Sequence, residues 1–207
     1  MTNTIILEKI IKTIVGTAIP KPEDNQNTDD MVYGGQLNRI SFKGYGKDLF
    51  ANERIANPNH PLNDDRYKGA TILIGGDNYG CGSSREHAPQ AHLDYGFKAL
   101  ITAGYAGIFQ ANCASIGLVA VTLPKADIIT LADLVKENPS TSLTIDINDK
   151  TISYESFNKP NAIFKFDIPE NVRQSFLNGT WDALALLRSN PEQVAETMAT
   201  IPYFSFK

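Results

Sequence analysis

The chain has 207 residues, of which 42% are hydrophobic and 20% charged, with a formal net charge of −4 and an isoelectric point near 5.4. This is the balance of a folded globular chain and not of a low-complexity or disordered one, and the length suits a single domain over residues 1–207 with a sizeable core. The negative charge offers no general attraction to phosphate backbones or anionic bilayers, so neither nucleic acid nor membrane is an expected partner.

The two cysteines, Cys81 and Cys113, are too few and too far apart to make a zinc or cluster motif, and a chain of this size needs no disulfide. A reducing, cytoplasmic location follows. Glu8, Lys9 and Lys12 interrupt the apolar start of the chain, so no signal peptide or spanning helix is expected there.

Ile10 to Ile19 mixes β-branched residues with Lys12 and Thr13 and reads as an opening strand, ended by Pro20 and Pro22. Residues 24–30 read either as a turn rich in Asn and Asp or as part of a site, and composition favours the turn. Met31 to Phe50 lacks periodicity, contains Gly34, Gly35, Gly44 and Gly46, and carries Arg39, Lys43 and Lys47, the composition of a loop with a positive face. A second loop covers Asn57 to Asp65. From Thr71 a regular alternation begins. Strands are predicted over Thr71–Ile74, Phe97–Ala103 and Leu118–Leu123, and helices over Pro89–Tyr95, Gly107–Asn112 and Ala126–Glu137. In the last helix Ile128, Ile129, Leu131, Leu134 and Val135 are available for a buried face. This pattern predicts an α/β fold with a mainly parallel central sheet. Ser142–Ile147 and Thr151–Tyr154 flank Asn148-Asp149-Lys150 as a hairpin, and Phe164 and Phe166 belong to one more strand. The end is helical: Pro169 opens a helix that stops at Asn178-Gly179, and Thr180 or Asp182 caps another through Leu187.

The chemistry concentrates at Gly75 to Pro89, between the predicted strand at Thr71–Ile74 and the helix behind it. In an open α/β sheet, ligands bind in such loops, outside the carboxyl ends of the strands. The glycines let the backbone approach a ligand, helix-start N–H groups favour an anion, and Ser83, Ser84 and Arg85 follow side by side. The stretch fits a carboxylate or phosphate cradle with a hydroxyl aimed into it. It lacks the full dinucleotide fingerprint, the P-loop and the Gly-x-Ser-x-Gly elbow. Cys81 reads as a small filler between glycines and Cys113 as core. His87 is placed to pair with Asp94 or a ligand, while His60 and His92 are expected as surface or packing residues, and the three histidines form no metal motif.

The run Gly80-Cys81-Gly82-Ser83-Ser84-Arg85-Glu86-His87-Ala88 resembles that of the aconitase superfamily, specifically the small subunits of 3-isopropylmalate dehydratase. Asp94-Tyr95-Gly96-Phe97, Ile108-Phe109-Gln110-Ala111-Asn112 and Gly44 to Phe50 are similar to the same subunit, the last to its specificity loop. Two departures stand out. The family's upstream Asp-Thr-Asp-x-Ile-Ile-Pro is here Asn27-Thr28-Asp29-Asp30-Met31-Val32-Tyr33, without the first acid and the proline.

The resemblance implies a swivelling β/β/α domain, like the aconitase C-terminal domain, that works with a large subunit holding a 4Fe-4S cluster; no cofactor or metal would be bound by this chain itself. It implies interconversion of 2-isopropylmalate and 3-isopropylmalate by removal and re-addition of water. Ser83 would be the catalytic base as its alkoxide, with Ser84 and Arg85 holding a carboxylate of the hydroxy-diacid and Arg39 contributing to substrate recognition. Related hydratases acting on homoaconitate, citraconate or methylmalate, and a non-catalytic binding module of the same fold, are the alternatives.

Overall fold

In the computed structural model, which describes residues 9–34, 44–83, 86–154 and 162–204, the apolar start of the chain divides between two sheets. The single opening strand expected from Ile10 to Ile19 is therefore two: β1 (Thr13–Gly16) and β2 (Ala18–Lys21). They break at Thr17, whose carbonyl accepts the N–H groups of Thr71 and Ile72 at 3.1 and 3.2 Å. In β1 Ile14 is buried while Thr13 and Val15 are exposed, whereas every residue of β2 is buried. The strand also continues through Pro20, because β2 lies at the edge of its sheet and pairs only with β3 (Ile72–Gly75). An edge position leaves the missing proline N–H without a ladder partner to disappoint.

The first sheet is parallel and runs in the order β2, β3, β4 (Ala99–Thr102), β5 (Val119–Thr122). Strands β3 and β4 are buried along their whole length, which explains why they read as unbroken apolar runs instead of alternating ones. Full burial of Ile72, Leu73 and Ile74 contributes about 1.5–3 kcal/mol for each side chain. The crossovers are α3 (His87–Tyr95) and α4 (Gly107–Ser115), preceded in the chain by two short helices, α1 (Thr28–Met31) and α2 (Ala51–Ala56). The first occupies a stretch read as a turn running into a loop, and the second the stretch between the two predicted loops, which carried no reading; a helix this short has too few turns to show a period.

Helix α5 (Lys125–Glu137) lies across β2, β3 and β4 and buries Ile128, Leu131, Leu134 and Val135. Ile129 corrects the expected face: it is 50% exposed, because it falls beside the stripe made by its neighbours three and four residues apart.

The second sheet is antiparallel, in the order β1, β6 (Leu143–Asp146), β7 (Thr151–Tyr154), β8 (Ile163–Lys165). The predicted hairpin is present, with Lys150 at φ 53° in its turn. Thr122 and Asp167 exchange backbone hydrogen bonds of 2.9 and 2.8 Å and tie this sheet to the edge of the parallel one. Helices α6 (Glu170–Asn178), α7 (Ala183–Arg188) and α8 (Pro191–Thr200) close the chain. Gly179 stops α6 in the left-handed conformation, and the Asp182 side chain caps α7 through the Ala185 N–H.

Candidate active site

Beyond the ends of the strands, three segments continue side by side as a narrower ladder. Gly80 donates its N–H to the Gln26 carbonyl at 2.8 Å, and Thr28 donates to the Cys81 carbonyl at 2.8 Å. On the other side Tyr79 donates to the Gly104 carbonyl and Ala106 donates to the Tyr79 carbonyl, both at 2.9 Å. Tyr79 to Cys81 is thus the middle of the three, held on both flanks. The loop that carries Ser83 starts from a rigid base at the carboxyl edge of the parallel sheet.

Ser83 lines a pocket of about 160 Å³ with Thr28, Gly82, Ala106, Gly107 and Ile108. The pocket lies between the loops that follow β3 and β4, the place predicted for a ligand in a sheet of this kind. Its wall includes the first turn of α4, whose N-cap, Ala106, makes no side-chain cap. The free N–H groups of a helix start favour an anion, by charge and by hydrogen bonding. The sequence suggested such groups from the helix directly after the serines; those facing this pocket belong to the next helix.

Three of the expected site residues, Ser84, Arg85 and Arg39, lie outside the described residues, as do residues 35–43 of the basic loop. What the structure brings together with Ser83 is the upstream Asn27-Thr28-Asp29. The Thr28 hydroxyl donates to the Ser83 carbonyl at 2.7 Å. The Asn27 side chain accepts the Asp29 N–H at 2.9 Å and caps α1. Asn supplies the same acceptor oxygen as Asp, so losing the acid leaves this cap intact. A Cβ on Gly82, at φ +92°, would stand 2.2 Å from Asn27 Oδ1. Only glycine fits between the two segments.

Beneath the loop Tyr79 and His92 are fully buried and joined by a 2.7 Å hydrogen bond. Burial drives the His92 imidazole down to about 4 and the Tyr79 phenol well above its ordinary value, so both are neutral. His60 is likewise buried; burial first, then the Lys21 ammonium, hold it below the ordinary imidazole value. The Lys21 ammonium, in a side chain 3% exposed, pairs with Glu53 at 2.9 Å and lies over the Phe50 ring. These are packing histidines, as one branch of the sequence reading had it. The His87 ring lies tilted against that of Tyr45, with centroids 5.6 Å apart and an angle of 54° between the planes. Asp94 accepts from the N–H groups of Gly44 and Gly46, at 2.9 and 2.8 Å. Sequence reasoning, which set Asp94 against His87, missed this role, since nothing in a local motif signals a partner so distant in the chain. At the other end of the same loop, Phe50 donates its N–H to the Met31 carbonyl at 2.9 Å, closing a neck.

Cys113 is fully buried in the core, and burial raises its thiol well above the ordinary value; Cys81 is only partly buried. Among the described residues no three His, Cys, Asp or Glu side chains come together as a metal site, and no helix is long and apolar enough to cross a membrane.

The model of the Aconitase C-terminal domain family matches residues 8–126. The chain is 38% identical to the 3-isopropylmalate dehydratase small subunit of Thermus thermophilus over 202 residues, covering 96% of this chain and 98% of the relative. It is 33% identical to the same subunit from Synechocystis sp. over 198 residues, covering 95% and 96%. In fold it is similar to the crystal structure of 3-isopropylmalate dehydratase from Methanocaldococcus jannaschii, with a TM-score of 0.66 at 24% identity over 89% of this chain and 99% of that one.

Proposed function

Because the chain belongs to the family of 3-isopropylmalate dehydratase small subunits, which are built on the aconitase C-terminal domain, we propose that it is the small subunit of a heteromeric hydro-lyase. The reaction is the interconversion of 2-isopropylmalate and 3-isopropylmalate by dehydration and rehydration, a step of leucine biosynthesis in the cytoplasm. The observation that carries this reading is the seat of Ser83: a pocket at the carboxyl edge of the parallel sheet, walled by the uncapped start of α4.

Removing water from a hydroxy-diacid requires loss of a proton from carbon beside a carboxylate. Ser83 takes that proton as its alkoxide and returns it on rehydration. A serine hydroxyl is far too weak an acid for this in water, and the helix-start N–H groups, with the Arg85 guanidinium, lower the cost of its negative charge. Arg85 grips a substrate carboxylate with two parallel hydrogen bonds, Ser84 adds a third, and Arg39 contributes to choice of substrate.

The donor set of this chain does not suit an iron-sulfur cluster: the sequence has two cysteines, one of them sealed in the core, and among the described residues no His, Cys, Asp or Glu side chains gather as a metal site. In this reading the large subunit holds the 4Fe-4S cluster, which supplies the Lewis acid, and the active site is completed between the two chains. The test is to mix the purified chain with the cluster-loaded large subunit under anaerobic conditions and assay a panel of hydroxy-diacids. Turnover of isopropylmalate is expected only in the mixture. Turnover by the isolated chain, or a mixture that prefers another diacid, overturns the assignment.

A further inference from the structure

We propose that Thr28 is a positioning residue for Ser83: its hydroxyl, donated to the Ser83 carbonyl, fixes the backbone from which the base projects. The proposal rests on the reading of Ser83 as the base.

Thr28 holds the loop twice, through its own N–H to the Cys81 carbonyl at 2.8 Å and through its hydroxyl to the Ser83 carbonyl at 2.7 Å. The residue between those two carbonyls is Gly82, at φ +92° and without a side chain to restrain it. With the hydroxyl bond removed, the backbone is pinned at Cys81 and free to pivot at the glycine just before the base. Thr28 is 3% exposed, so water does not readily replace the lost partner.

A direct contact to substrate is the competing role, since Thr28 and Ser83 line one pocket. A hydroxyl has a single hydrogen to donate, and here it is committed to the Ser83 carbonyl. What remains toward the pocket is lone pairs, which repel a carboxylate. Thr28 therefore acts through the backbone of Ser83.

The experiment uses the assembled, cluster-loaded complex and compares Thr28→Val, which keeps the shape and loses the donor, with Thr28→Ser, which keeps the donor. Misplacing a reacting group by about 1 Å costs up to roughly 100-fold in rate. Thr28→Val is expected to lower kcat per loaded complex by about 10-fold to 100-fold with little change in KM, and Thr28→Ser to stay within about 3-fold of the parent. In a Ser83→Ala background, Thr28→Val should cause no further loss, because positioning an absent base has no value. Should the valine variant fail to assemble, Thr28→Ala, which only removes atoms, carries the same comparison. Normal kcat in the donor-less variants, a loss confined to KM, or equal impairment of the serine variant each overturn the proposal while leaving Ser83 in place. Normal turnover by Ser83→Ala removes the base reading and this inference with it.

Discussion

Tyr79 and His92 form a neutral hydrogen-bonded pair, Tyr79 Oη to His92 Nε2 at 2.7 Å, in the layer beneath the Ser83 loop. The other ring nitrogen lies 2.7 Å from the Ala88 carbonyl. A carbonyl only accepts, so Nδ1 carries the proton and Nε2 receives the Tyr79 hydroxyl. The buried pair sets a pH limit on the chain. His92 titrates near 4 in the folded state against 6.5 for an ordinary imidazole, and between those values the unfolded chain binds the extra proton. Stability is complete above about pH 6.5 and falls as the pH drops toward 4, by on the order of 3 kcal/mol from His92 alone. The lowered value of His60 acts in the same direction. Urea midpoints of the isolated chain at several pH values between 7.5 and 4.5 measure the slope. His92→Phe should flatten it, and an unchanged slope in that variant would exclude His92 as its source.

Kinetics of the assembled complex separate Ser83 from Arg85. On the proposed mechanism Ser83→Ala removes a group that acts in the transition state, so turnover should fall by roughly 100-fold to 10,000-fold with Michaelis constants little altered. Arg85→Lys keeps the charge and loses the planar fork, and should weaken substrate binding by about 1.5–3 kcal/mol. If both variants instead lose only stability and subunit association, with normal turnover per loaded complex, the two residues serve as braces of the loop.

Gly82→Ala probes the packing of the loop against Asn27. The new Cβ would sit 2.2 Å from Asn27 Oδ1 on a backbone at φ +92°, so either the loop or the α1 cap must shift. A residue forced into such a conformation costs about 1–3 kcal/mol. Activity per loaded complex should drop well before the fold is lost, which circular dichroism alongside turnover will show; parallel losses in both would mean that the loop is merely structural.

Gly46→Ala tests the anchorage of the basic loop. Its Cβ would stand 2.3 Å from the Tyr95 backbone nitrogen, a group that cannot swing aside. The substitution should detach the Gly44–Gly46 turn from Asp94 and change the ranking of diacid substrates, as should exchange of residues 34–47 for another family member's loop. An unchanged ranking of kcat/KM values in both places specificity elsewhere, on the large subunit.

The parallel sheet and the helix after Ser83 were legible because buried β-branched runs and Gly96 state their own ends, as Gly179 does for α6 near the end of the chain. The hairpin was equally plain at Asn148-Asp149-Lys150. What the sequence hid were relations between distant segments. Nothing local marks Thr17 as the point where the chain leaves one sheet for another, or tells that Pro20 lies on an edge. Helix α8 carried the cue of Asn190-Pro191 at its start, but none of its residues is buried, so no core-facing stripe marks it. That Ser83 lies in a strand-to-helix loop beside a pocket was legible from the glycines and the strand before it. The part of Thr28 was not, because it depends on a ladder joining residues far apart in the chain.

The neck between Met31 and Phe50 bears on how such a subunit diversifies. One backbone hydrogen bond joins the two ends of the intervening segment, Phe50 is held beneath Lys21, and Val32, Tyr45 and Leu49 are buried in the core, so both flanks of the segment are fixed to the fold. Closing a longer loop across the same neck costs little, about 0.6 kcal/mol for each doubling of its length. The fold therefore tolerates a longer segment between those flanks, whereas Val32, Tyr45 and Leu49 have to be kept because the core is packed on them.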